Sequence, residues 1–424
     1  MLGGLGLKSI GLGWVSKTAL FLAEIPSNAK RIFNNDNLLE DRFPSLDGFN
    51  GTPNSQESFL LLSRYDGDLN ESVVELVDLK SFDILHTWNP DIDAFNDLVE
   101  QVDEFKYLKR DSNNNRSRLR HPKLLQGGHL LFQDDTPLRK IDDCSNLVFQ
   151  NTHDIFHHSI ETDIDGNIWA PSYIYPQSIS KEKVLTDIIQ DGGFYDDGIV
   201  KLSPNGEILF EKSVSQIFID NGLQYLLFAH GNDHERDPIH LNDIQPINVD
   251  GEFWIKGDVF LSIRNQSMVL LYRPTTNEII WKGSGPFLHQ HDVDILDNSR
   301  ISVFNNRSIM PSNTKIVDGH NEIIIYDFKT NEHSSYLKDS PIENDIRTTT
   351  EGGNEILTNG DLFIEETNFG RTLYFNADGS LRWTHVNRAD NGKVYTVGWS
   401  RILYTQEDLQ TVNNFLTNKG SCNE

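Results

Sequence analysis

Three phrases in this sequence place histidines immediately ahead of β-rich runs: His157-His158 before SIETDIDGNIW, His240-Leu241-Asn242 before DIQPINVDGEFW, and His289-Gln290-His291 before DVDILDNSRIS. A neutral imidazole is a nucleophile near physiological pH, and a second imidazole can carry protons for it. Arg264, in the run GDVFLSIRNQS, adds a guanidinium that can reach the same place. An arginine with Asn and His donors would hold the spread negative charge of a transferring sulfuryl or phosphoryl group. The set lacks the carboxylates expected of a Mg²⁺ site. The chain also has no Walker-type loop for a nucleotide phosphate and no G-x-S-x-G elbow.

Spacing is what joins these residues. His158 and His291 each lie eight residues before a hairpin turn, at Gly166 and Ser299, and Asn242 lies nine before Gly251. Equal spacing puts the side chains at one height around a common axis. Because side chains alternate along a strand, His240 shares a face with Asn242, and His289 with His291. A single histidine at a strand end is ordinarily a surface residue, and Arg264 could simply pair with one of the many acids. The repetition in three units is what argues for one shared site of His158, His240, Asn242, Arg264 and His291, flanked by His157 and His289.

The elements that must position them recur along the chain. Alternating apolar strands are joined by Asx-Gly and related turns at Asp165-Gly166, Asp250-Gly251, Asp297-Asn298 and Asn359-Gly360. A second series runs through Asn205-Gly206, Thr276-Asn277, Thr330-Asn331 and Asp378-Gly379. Turns of this kind favour positive φ and mark hairpins. Units can be drawn over 57–90, 121–151, 157–213 with an insertion near 175–197, 240–285, 289–337 and 352–386. The repeat predicts an all-β fold, a six-bladed β-propeller over 57–405. The alternating run 393–404 is expected to close the ring, and 406–424 to form a C-terminal helix and tail. Residues 1–56 are expected to be a short, partly helical N-terminal segment. Trp88, Trp281 and Trp383 each end an outer strand and are expected to pack between blades.

Composition bounds the partners. A formal charge of −26 over 424 residues disfavours nucleic acid, whose phosphates would be repelled. An anionic substrate then needs a local cluster of Arg and His. Two cysteines, Cys144 and Cys422, exclude a disulfide framework, and a single bridge between them is not the expected arrangement. Residues 5–25 are apolar but broken by Lys8 and Lys17. They fall short of the ~20 uncharged residues of a membrane span. A packed helix, a membrane-surface helix and a degenerate export or anchor segment all remain open there. The expectation leans toward an extracytoplasmic place for the protein.

The strings FHHSIETDIDGNIW, DPIHLNDIQPINVDGEFW, VFLSIRN, HQHDVDILDNSRISVFNN and GGNEILTNGDLFIEE…RTLYFNADGSLRW resemble the arylsulfotransferase family. The resemblance covers roughly 57–390. It implies a six-bladed propeller that moves a sulfuryl group from an aryl sulfate ester to a phenol without a nucleotide donor or other cofactor. It further implies His291 as the transiently sulfated nucleophile, His240 and Asn242 as the family's His-x-Asn pair, Arg264 as the sulfate-binding arginine, and His158 from the His-His phrase. Residues 1–55 leave too little room for the N-terminal β-sandwich of well-studied members, and the disulfide that some members carry near the active site has no counterpart. Two rival readings stand beside it: a metal enzyme using the inward histidines, with Asn242 and Arg264 poor company for a cation, and a non-catalytic ligand-binding propeller.

Overall fold

The strands of this chain are of two kinds, and their burial explains the architecture. Runs such as Phe59–Asp66 (FLLLSRYD) and Glu71–Asp78 (ESVVELVD) are apolar on both faces and almost wholly buried, as strands sandwiched between neighbouring sheets must be. Outer strands such as Glu278–Ser284 (EIIWKGS) alternate between half-buried and exposed residues, the pattern of a strand with one face to solvent. Hairpin turns between them use Asn277 and Asn331, both at φ +58°, a left-handed conformation that asparagine tolerates better than most residues.

A computed structural model describes residues 37–179, 194–229, 235–311 and 314–422. The expected helix or anchor at 5–25 lies outside the described residues. Among those described, no helix is long and apolar enough to cross a membrane. The sheets are antiparallel and meander from strand to neighbouring strand in a propeller-like arrangement. Leu241–Ser284 and Val293–Tyr336 each span a four-stranded sheet, and Gly353–Val386 supplies four strands of a five-stranded one.

Both ends of this unit are locked into sheets made by distant residues. Arg401–Leu403 pairs with Phe59–Leu61, completing the first sheet from the C-terminal side. Gly48–Gly51 pairs with the outer strand Leu381–Val386. A Cβ on Gly51, at φ +128°, would stand 2.4 Å from the Arg382 carbonyl oxygen, so this edge pairing needs glycine. Apolar layers join consecutive units, and the layer of Leu60, Leu62, Phe363, Tyr374 and Trp383 joins the last sheet to the first. Trp383 is fully buried there, and Trp88 in the layer beside it. Trp281 is half-buried and stacks on Tyr326 of the next sheet at 4.9 Å.

Two features differ from expectation. The units drawn at 121–151 and 157–213 form one continuous eight-stranded sheet. Strand Leu147–Phe156 runs ten residues, far enough for Ile155 and Phe156 to pair with Tyr173 and Ser172 of the next unit. The second difference is a disulfide between Cys144 and Cys422, with Cα atoms 5.4 Å apart. The C-terminal helix Gln406–Asn418 begins with a capping box of Thr405 and Asp408 and buries Phe415 against Trp88. Gln126 Nε2 donates to Thr411 Oγ1 at 2.7 Å on the same face. Helix docking thus returns the tail to the Asp142–Asn146 turn that carries Cys144, a proximity that a separation of 278 residues conceals.

Candidate active site

Non-glycine residues in the left-handed region stand at or shortly before six strand starts: His121, His158, His240, His289, Glu351 and Trp399 have φ between +49° and +62°. Such residues cost about 1–2 kcal/mol each and concentrate at functional sites.

The histidines singled out by spacing meet in the fold. The rings of His158 and His240 are 5.0 Å apart, edge to face. The Trp399 ring lies 6.2 Å from His158 and 6.0 Å from His291. The positive charge of Arg264 bears on both His291 and His289. The sequence-predicted residues are thus brought together, with Trp399 between two of them.

The tautomer of His291 follows from its surroundings. Asn306 Nδ2 donates to the carbonyls of Glu351 at 2.7 Å and Thr348 at 3.3 Å, so its Oδ1 must face the ring. His291 Nδ1 lies 2.6 Å from that oxygen and therefore carries the hydrogen. Its Nε2 holds the lone pair and accepts the Glu351 backbone N–H at 2.9 Å. Burial first, and then Arg264, hold His291 well below the usual imidazole range, so the ring is neutral. The orienting group is a side chain next to strand Arg300–Asn305 of the same sheet.

Two further pairs are oriented. His240 Nδ1 donates to Asp237 Oδ2 at 2.5 Å, an aspartate–histidine arrangement that fixes ring and tautomer. His157 Nε2 lies 3.4 Å from Asp197 Oδ1, and its Nδ1 lies 2.7 Å from Nδ1 of His158. The two Nδ1 atoms are close enough to share one hydrogen, one ring donating to the other. Burial lowers His157 to about 3 and His158 well below its ordinary value. His289 donates Nδ1–H to the Ser308 carbonyl at 2.8 Å.

Arg264 is 4% exposed, and its Nη1 donates to Asn265 Oδ1 at 2.7 Å. Its Nε and Nη2 are buried and make no hydrogen bond among the described residues. A guanidinium with two free N–H groups is built to receive an anion. Asn242 is wholly buried and donates to the Gln290 carbonyl at 3.0 Å. It therefore steadies the peptide beside His291, while its own Oδ1 has no partner.

Sequence reasoning missed Asp237, Asn306, Glu351, Asp197 and Trp399. Asp237 stands three residues before His240 and Asn306 ends the strand phrase SVFNN, so both were in view. Glu351 and Trp399 arrive from other sheets. Trp399 also lines a small cavity together with Asp292, Asp294, Glu355 and Arg401. There burial raises Asp292 and Asp294 well above the usual carboxylate range.

Similar solved structures include a protein of unknown function from Bacteroides caccae, at 11% identity, 82% of this chain, 99% of that one and a TM-score of 0.49. The Pan2 WD40 domain of Neurospora crassa shares 9% identity over 80% of this chain and 88% of its own, at 0.41. The Cps50 (Swd1) β-propeller domain of Myceliophteria thermophila shares 9% over 83% and 99%, also at 0.41. No curated protein matches this chain at a significant level. Residues 121–388, which carry every histidine, arginine and asparagine of the predicted site, match the family described as Arylsulfotransferase (ASST), and the chain belongs to that family.

Proposed function

We propose that this protein moves a sulfuryl group from an aryl sulfate ester to a phenol through a histidine-bound intermediate. The observation that carries the reading is the buried Arg264 guanidinium with two unpartnered N–H groups beside neutral histidines. In the first half-reaction His291 Nε2 donates its lone pair to sulfur and the S–O(aryl) bond breaks. The aryl oxygen leaves as phenolate. Arg264 holds the sulfuryl oxygens. In the second, an acceptor phenol gives its proton to His240 or His158, its oxygen bonds sulfur, and the N–S electron pair returns to Nε2. Asn306 Oδ1 cannot take a proton, so the sulfated ring stays an imidazolium and a good leaving group. The Glu351 N–H on Nε2 must release before attack.

One observation favours a second assignment of the nucleophile: His158 Nε2 makes no hydrogen bond among the described residues, whereas His291 Nε2 is occupied by the Glu351 N–H. Incubation with p-nitrophenyl sulfate alone should add about 80 Da, one sulfuryl group, to the intact chain. The adduct should vanish in His291→Ala and persist in His333→Ala. An adduct surviving in His291→Ala but lost in His158→Ala reverses the assignment, and no adduct in the active wild type overturns the covalent route.

The architecture we propose is six blades. In support, only Ser172–Phe156 and Tyr173–Ile155 fuse the eight-stranded sheet, and apolar layers join each unit to the next. The Cys144–Cys422 bridge fits an oxidising compartment and supports an extracytoplasmic place.

A further inference from the structure

Away from the central histidines, the described residues hold a group of three side chains whose ligand atoms all lie within 4.8 Å of one another: His153, Asp154 and Glu211. His153 and Asp154 sit near the end of strand Leu147–Phe156, and Glu211 on Ile208–Ser213, the outer strand of the following unit. Strand alternation turns Asp154 inward, where it is 4% exposed and accepts the Ser172 hydroxyl at 2.8 Å. His153 Nε2 stands 3.6 Å from Glu211 Oε2, too far for a hydrogen bond.

Two observations mark this group as more than a chance meeting of acids. Among the described residues, Glu211 Oε1 is shut away from solvent and receives no N–H or hydroxyl donor. Among the described residues no Lys or Arg forms an ion pair with either carboxylate. Two abutting carboxylates in a partly dry place repel one another, and burying such charge without a counter-ion is costly. A cation held by all three side chains would answer both the repulsion and the orphaned oxygen.

We propose that His153, Asp154 and Glu211 form a binding site for a divalent transition-metal ion of the zinc type. An imidazole with carboxylates suits zinc better than calcium or magnesium, which take oxygen ligands. Bonds of about 2.0–2.2 Å place tetrahedral ligands about 3–4 Å apart, within a small side-chain adjustment of the present spread. Three protein ligands leave a position for water, and His153, with its side chain 57% exposed, opens the site to solvent.

The ion would staple two strands that are not neighbours in their sheet, bridging 57 residues of chain from Asp154 to Glu211. Asp154 is also only three residues before His157, so the staple would steady the strand that delivers the His157–His158 pair. The site does not depend on the sulfuryl-transfer reading.

The test uses untagged protein dialysed against a chelator, then titrated with Zn²⁺ by calorimetry and with Co²⁺ by visible absorption. One ion per chain is expected, with a rise in Tm. Affinity should fall at least about tenfold in Glu211→Gln and in His153→Ala. Binding should survive in the double variant His158→Ala/His291→Ala, which removes central imidazoles. Binding unchanged in both Glu211→Gln and His153→Ala, or lost only in the double variant, would overturn the site. So would no binding in any form, the result expected if Asp154 and Glu211 shared a proton instead. His153→Ala alters an exposed side chain, so it keeps the test open should Glu211→Gln fold poorly.

Discussion

His291 Nδ1 lies 2.6 Å from Asn306 Oδ1, while on the other side of the ring Nε2 takes the backbone N–H of Glu351. The first contact puts the ring hydrogen on Nδ1 and leaves the lone pair on Nε2, and the second occupies that lone pair. Glu351 and Gly352 are both in the left-handed region, at φ +62° and +91°.

Asn306→Ala should leave the His291 Nδ1–H buried and unpaired. That costs about 1–3 kcal/mol, or about five- to 150-fold in the rate of the first half-reaction. Asn306→Asp should behave differently, because a carboxylate stabilises the sulfated imidazolium. Mass spectrometry should then show adduct accumulating while transfer to the phenol slows. Equal adduct levels in Asn306→Asp and wild type would remove Asn306 from this role.

Arg264→Ala should lower transfer on the order of 10²–10³-fold, the usual cost of one lost oxyanion donor. Arg264→Lys should recover little, since an ammonium cannot offer the planar pair of N–H groups that Arg264 leaves unpartnered. Steady-state kinetics with an aryl sulfate and a phenol would measure both. Wild-type kcat/KM in Arg264→Lys would show that only charge matters.

Stability should fall on both sides of a mildly acidic optimum. Burial holds His157 and His385 down to about 3 from an ordinary 6.5. The unfolded chain therefore binds more protons between those values, and their contribution disappears as pH drops from about 6.5 toward 3. Glu355 and Glu365 go the other way, raised by burial to about 8 and about 7 from 4.5. Their contribution is complete below about 4.5 and is lost as pH rises through 7 to 8. Tm measured across pH should thus decline from 6.5 to 8 and again from 4.5 to 3. Glu355→Gln should flatten the upper limb only.

Cys144→Ser or Cys422→Ser should destabilise the protein by about 2–4 kcal/mol. The loss should centre on helix Gln406–Asn418, whose amides would exchange faster while those of Val259–Ile263 stay protected. Reducing the wild type should reproduce the effect. Identical exchange in the helix of both proteins would mean that Phe415 packing alone holds it.

The sequence by itself determined the strands, the hairpins and the identity of the central residues. Those features are local: alternation, Asx-Gly turns and the eight- or nine-residue distance from His158, Asn242 and His291 to a turn are set within about ten residues, so these three could be aligned without coordinates. The same counting could not reveal what each ring touches. Glu351 reaches His291 across 60 residues, and Trp399 comes from the closing segment at the other end of the chain. Asn306 was in plain sight, yet its importance rests on Thr348 and Glu351 carbonyls that orient its amide. The fusion of two units into one sheet depends on where strand Leu147–Phe156 stops pairing, and the Cys144–Cys422 bridge on where a helix docks. Such matters are decided by packing between elements far apart in sequence, and only the tertiary structure supplies them.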